Sequence, residues 1–126
     1  MEIVCLDTSI LIDHYRKKDK TQTRFAQIAR QYDAFAVSAL VEYEFLRGEK
    51  DTDNSFWEAL FNMINVLPFD RVCAQKAAAI YASLTKQQQN QRVLDILIAS
   101  TALAWDYPLA TLNTRDFEGI AGLRLV

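Results

Sequence analysis

A few acidic residues, by type and spacing, are the positions in this chain best placed to do chemistry. Asp7 ends a short apolar run, Ile3 to Leu6, and is followed by two hydroxyl residues, Thr8 and Ser9. Asn113 and Asp116 stand just past a late apolar segment, "LAT", whose last residue is Thr111. Asp95 lies near the start of "VLDILIASTALAW". Glu42 and Glu44 fall within "ALVEYEFLRG", which is apolar nearly all round, so periodicity does not choose between them. Each acid also has an ordinary explanation. Asp7 can cap a helix, Asp95 can complement a helix dipole, Asp116 can be a turn residue, and the glutamates can be solvated. Convergence of three or four would change the chemistry. Two charges about 4 Å apart repel by ~4 kcal/mol at an effective dielectric of ~20. Such a cluster needs a shared proton, a basic partner or a divalent cation. Oxygen ligands without histidine or thiolate suit hard ions such as Mg²⁺ or Mn²⁺ rather than zinc. The single histidine, His14, reads as a surface or rim residue of the first helix.

The elements that carry these acids follow from the apolar patterning. Residues 2–6 read as a buried strand and "SILIDHYRK" as a helix, with Asp7, Thr8 or Ser9 available as its N-cap. "KTQTRFAQIARQY" has Phe25, Ile28, Ala29 and Tyr32 at helical spacing, and "AFAVS" reads as a second strand. "ALVEYEFLRG" is a helix ending at Gly48, and "DTDNSFWEALFNMIN" supplies capping residues and then another helix. "VLPF" reads as a third strand that its proline keeps short or at an edge. Arg71 to Gln91 reads as one long helix, Val93 to Trp105 as the most continuous helix, and "YPLATLN" and "LRLV" as the last strands. This alternation predicts an α/β domain with a mostly parallel sheet and helices on both faces. Ligands sit outside the carboxyl ends of such strands, so Asp7 and the Asn113–Asp116 segment are delivered to one edge. Asp95, Ile98, Ala99, Ala102 and Asp106 share one helical face. Asp95 therefore opens a small-residue stripe that should pack close to neighbouring backbone, where an aspartate is paired, capping or metal-bound.

At 126 residues and 51% hydrophobic, the chain fits one domain spanning 1–126. A net charge of −2 excludes a protein that coats nucleic acid by overall charge, though not a local basic patch. Arg16, Lys17, Lys18 and Lys20, with Arg24, could form a basic rim next to the Asp7 end of the sheet that attracts a polyanion, and Arg47 and Lys50 could extend it. Trp57 and Phe61 read as core or interface residues rather than base-stacking platforms. Cys5 and Cys73 are far apart and lack metal-ligand spacing, which suits two free thiols in a reducing compartment. There is no signal-peptide pattern, and the longest apolar stretch is too short to span a bilayer. A cytoplasmic protein without a membrane partner is expected.

Taken together, the motifs resemble the PIN-domain family and, within it, the VapC-type toxins of toxin–antitoxin pairs. "LDTSILID" resembles the family's N-terminal motif, whose first acid falls on Asp7. "VSALVEYEFLRG" is similar to its strand-to-helix segment, and the position between Ser38 and Gly48 that carries the family's second acid is Glu44 here, with Glu42 an extra acid. "VLDILIASTALAWDYPLATLNTRDFEGIAGLRLV" is the most specific portion, carrying Asp95 and Asp116 with Thr111 and Asn113 beside them. The resemblance implies a three-layer PIN-like fold and a Mg²⁺- or Mn²⁺-dependent endoribonuclease. It implies Asp7 and Asp95 as principal ligands, with Glu44 and Asp116 as ligands directly or through water. Thr8, Ser9, Thr111 and Asn113 would orient those carboxylates or the substrate. It also implies an antitoxin partner and a homodimer, for which "RFAQIARQY" and "FWEALFNMI" are candidate surface. Two rival readings stand beside it. One is a phosphatase with Asp7 as nucleophile, whose best-known family wants a second aspartate where this chain has Ser9. The other is a non-catalytic module that binds RNA or protein.

Overall fold

The fold is given by a computed structural model that describes residues 2–48 and 54–126, with residues 54–57 described by their backbone alone. Lys50, the capping residues Asp51 to Asp53 and the Trp57 side chain lie outside the described part. Four strands, β1 (Ile3–Leu6), β2 (Ala34–Ser38), β3 (Ile64–Leu67) and β4 (Leu109–Ala110), form one sheet in the order β3-β2-β1-β4. Every pairing is parallel, with Val4 opposite Phe35 and Leu6 opposite Ala110. Parallel neighbours need crossover segments, and helices supply them. Helices α1 (Thr8–Arg16) and α2 (Arg24–Ile28) link β1 to β2, and α3 (Ala39–Gly48) and α4 (Asn54–Asn62) link β2 to β3. The return across the sheet to β4 uses α5 (Arg71–Ser83), α6 (Lys86–Gln91) and α7 (Val93–Trp105). The expected α/β architecture, a parallel sheet flanked by helices, is present.

Burial explains the two central strands. Val4, Leu6, Ala36 and Val37 are fully buried, so β1 and β2 read as continuous apolar runs rather than alternating ones. Ile10, Leu11, Phe45, Ile98 and Phe117 pack around them, and full burial of each large side chain contributes about 1.5–3 kcal/mol. Phe25, Ile28 and Leu60 also belong to this core, so those residues of the two candidate dimer segments are occupied internally. Both cysteines are free and buried, and burial pushes the Cys5 thiol up to about 12, which leaves it a small core hydrophobe. Among the described residues, no helix is long and apolar enough to cross a membrane.

Local hydrogen bonding corrects several expected boundaries. Arg71 to Gln91 is two helices rather than one. The Thr85 hydroxyl accepts from the Gln88 N–H at 3.2 Å while the Gln88 side chain accepts from the Thr85 N–H at 2.9 Å, a capping box that starts α6. Lys20 to Tyr32 is split in the same way. A short 3-10 turn, Lys20–Gln22, precedes Thr23, whose hydroxyl accepts from the Ala26 N–H at 3.1 Å and opens a brief α2. β3 begins two residues before "VLPF" and stops short of Pro68, at the edge of the sheet. β4 is only two residues long, and "LRLV" contributes a single parallel bridge, Leu109 to Leu125. His14 turns inward rather than to the surface: Nδ1 lies 2.7 Å from the buried Thr23 hydroxyl, and its ring packs on Phe25 at 4.9 Å. The capping box yields a direct test. Thr85→Ala should lower unfolding stability by about 1 kcal/mol in a denaturant titration. An unchanged midpoint would contradict its role in breaking the helix.

Candidate active site

The chain passes from β1 to β2 on one side and returns to β4 on the other, so the strand order reverses between β1 and β4. Such a switch opens a crevice at the carboxyl ends of the strands. Asp7 directly follows β1, and its N–H donates to the Ala110 carbonyl at 2.9 Å. It occupies the N-cap position of α1 with extended backbone, yet its carboxylate makes no capping hydrogen bond. Its donors are side chains instead. Ser9 Oγ donates to Asp7 Oδ2 at 3.0 Å and Thr111 Oγ1 donates to the same oxygen at 2.7 Å. Each hydroxyl in turn accepts a backbone N–H, Ser9 from Leu112 at 3.0 Å and Thr111 from Asn113 at 3.0 Å. Both hydroxyl protons are thereby aimed at one charged oxygen, which strengthens each bond in the chain. Among the described residues nothing donates to Oδ1, although Asp7 is only 5% exposed.

Three more acids meet Asp7 at this end of the sheet. Thr8 Oγ1 donates to Glu44 Oε1 at 2.8 Å, and Arg47 Nη2 stands 4.0 Å from Oε2. Asp95 comes from the first turn of α7, and Asp116 from a short 3-10 turn, Thr114–Phe117. With Ser9 and Asn113 these acids line a cleft of about 670 Å³. Glu44 lines it and Glu42 does not, so the tertiary structure makes the choice that periodicity left open. Asn113 enters the hydroxyl network through its N–H and is among the residues that line the cleft.

Asp95 has the most perturbed environment. Among the described residues its half-buried carboxylate accepts no hydrogen bond. Burial, reinforced by the negative charges of Asp7, Asp116 and Glu44 and opposed by Arg92, pushes it up from 3.8 to about 7. A half-buried carboxylate without a donor has lost hydration without compensation. The donor set, carboxylate and hydroxyl oxygens only, is one that Mg²⁺ or Mn²⁺ accepts. Among the described residues, no three acid, histidine or cysteine side chains are set to grip one ion together. A Mg²⁺ ion, which takes one or two carboxylates and keeps several waters, does not need such a group of three.

The basic residues divide. Arg16 and Lys17 stand on the cleft wall, Lys17 paired with Asp13 at 3.0 Å. Lys18 is exposed outside the lining residues. Lys20 is turned to the end of α1, where its ammonium donates to the carbonyls of His14, Tyr15 and Lys17 at 2.6–2.7 Å. Asp13 and Ile12 also line the cleft and were not anticipated. The signal was available, because Ser9, Ile12, Asp13 and Arg16 recur at helical spacing along α1.

The raised Asp95 carboxyl sets a pH dependence for the metal-free protein. Between 3.8 and about 7 the folded chain holds a proton that the unfolded chain releases, so stability falls as pH rises through that window. Asp95→Asn, neutral and of the same shape, should therefore melt above the wild type in chelator at pH values over 7. The advantage should shrink to nothing as pH falls toward 3.8. Equal melting temperatures across that range would remove the acid cluster as a source of strain.

Comparison with known proteins places this geometry in a family. A family model described as the PIN domain matches residues 4–123. A protein from Rickettsia bellii named Ribonuclease VapC is 33% identical over 129 residues, which cover 96% of this chain and 92% of that protein. The solved structure of VapBC2 from Rickettsia felis bound to a DNA fragment from its promoter aligns with a TM-score of 0.82 at 24% identity, covering 98% of this chain and 97% of that one. A toxin–antitoxin complex from Klebsiella pneumoniae aligns with a TM-score of 0.75 at 24% identity, covering 98% and 95%. The matched span includes the positions of all four acids and covers nearly the whole length: the chain belongs to the PIN-domain family, in its VapC type.

Proposed function

We propose that this chain is a divalent-metal-dependent endoribonuclease, the toxin of a toxin–antitoxin pair, built as a single domain over residues 1–126 and working in the cytoplasm. The observation that carries the reading is Asp95: a half-buried carboxylate without a hydrogen-bond donor among the described residues, facing three other acids in a cleft. Likeness to a protein named as a ribonuclease supports RNA as the substrate. Likeness to a toxin–antitoxin complex supports an antitoxin partner. The proposal also includes a homodimer, which rests on the family resemblance alone.

Asp7 and Asp95 are the principal ligands for Mg²⁺ or Mn²⁺, with Glu44 and Asp116 acting directly or through water. When bound, such an ion neutralises charge on the scissile phosphate and makes water a stronger nucleophile. The protein's own groups do the rest. Ser9 and Thr111 both donate to Asp7 Oδ2, so Oδ1, without a donor among the described residues, would be the oxygen available to a cation. Thr8 fixes the rotamer of Glu44. Arg16 and Lys17, which line the same cleft as the acids, attract the RNA backbone. Ser9 argues against a phosphatase with Asp7 as nucleophile, because a hydroxyl donating to Asp7 stands where that chemistry wants a second acid.

Asp7→Asn should abolish metal-dependent RNA cleavage while the circular-dichroism spectrum and cooperative melting persist. Undiminished cleavage by a contaminant-free variant would sink the assignment. Arg16→Glu should raise KM for RNA several-fold and flatten its dependence on salt, with Mn²⁺ affinity unchanged. An unaltered KM would remove Arg16 from the substrate path.

A further inference from the structure

Asp95 and Asp116 reach the cleft from separate elements, so something must hold those elements in register. Asp116 sits in the turn Thr114–Phe117, and Phe117, 1% exposed, anchors that turn in the core from one side. Arg92 holds the other side. Its backbone joins two helices: the N–H donates to the Gln88 carbonyl at 2.9 Å, closing α6, and its carbonyl accepts from the Ile96 N–H at 2.8 Å, opening α7. Its side chain then leaves the helix and grips the acid-bearing turn. Nη2 donates to the Arg115 carbonyl at 2.9 Å and Nη1 to the Glu118 carbonyl at 3.0 Å. Those two carbonyls bracket Asp116 in the chain. A guanidinium offers its donors in a rigid planar fork, so two such bonds set the orientation of the turn as well as its distance. The same residue sits one helical turn before Asp95, and its positive charge acts on that carboxylate.

We propose that Arg92 is a positioning residue for the metal site: by clamping the Arg115 and Glu118 carbonyls to the start of α7, it holds Asp116 beside Asp95 in the arrangement a shared divalent cation requires. The proposal rests on the metal-dependent reading of the cleft and adds a residue that touches neither ion nor RNA. A lysine at this position keeps the charge and loses the fork, so it separates the clamp from simple electrostatic compensation.

The test is calorimetric titration of Mn²⁺ alone, without RNA, into the full chain and its variants. The wild type binds. Arg92→Gln weakens binding by about tenfold, the lower end of the range for residues that orient metal ligands, and Arg92→Lys weakens it as well. In an Asp116→Asn background, Arg92→Gln adds no further loss, because the carboxylate it positions is gone. Wild-type Mn²⁺ affinity in Arg92→Lys, or lowered melting temperatures with unchanged affinity, overturns the proposal and leaves the metal site standing. So does a full additive loss in the double variant. Absence of Mn²⁺ binding by the wild type overturns the metal site and this proposal together.

Discussion

Repulsion among four carboxylates at the carboxyl end of the sheet is the constraint that the surrounding structure must contain. Asp7, Glu44, Asp95 and Asp116 are delivered to one cleft from the end of β1, α3, α7 and a late turn, which are not consecutive in the chain. The containment is apolar and immediate. Leu6 precedes Asp7, Phe45 follows Glu44, Ile96 follows Asp95 and Phe117 follows Asp116, and each of these is buried. The acids are set by their buried neighbours, and burial together with the charges of Asp7, Asp116 and Glu44 pushes the Asp95 carboxyl up to about 7.

Hydrogen bonding then differentiates the acids. Asp7 is the most buried of them, and it is the one given two hydroxyl donors on a single oxygen. Those hydroxyls are themselves polarised by consecutive N–H groups from Leu112 and Asn113, so the loop after β4 and the start of α1 are joined through the carboxylate. Glu44 takes a hydroxyl from Thr8, whereas Asp95 receives no donor among the described residues. The result is graded: Asp7 takes two hydroxyl donors and Glu44 one, while the Asp95 carboxyl, with none among the described residues, is pushed up to about 7 by burial and by the neighbouring acids.

The basic residues show how one stretch serves two ends. In "HYRKKDK", Arg16 and Lys17 reach the cleft, while Lys20 folds back to satisfy carbonyls at the end of α1. A charge count over that segment cannot separate substrate attraction from helix termination. His14 shows the same division, since its ring fastens α1 to α2 through Thr23.

By itself the sequence determined the alternation of strands and helices, the bounds of α7 at Val93 and Trp105, and the presence of acids just past β1 and β4. These are legible because burial imposes a period on neighbouring residues and strand ends carry predictable roles. It also carried the family motifs. The break at Thr85 was written in its capping box, but helical composition on both sides hid it. Tertiary structure alone decided the rest. It chose Glu44 over Glu42, because α3 is apolar nearly all round and only the Thr8 hydroxyl and the cleft distinguish the two. It also turned Asp7 from a capping side chain into an acceptor for Thr111, and brought Arg92 to the two sides of Asp116. Those contacts join residues with 104, 23 and 26 positions between them in sequence number. No local period reports on such pairs; only the closing of β4 against β1 and the packing of α7 bring them within reach.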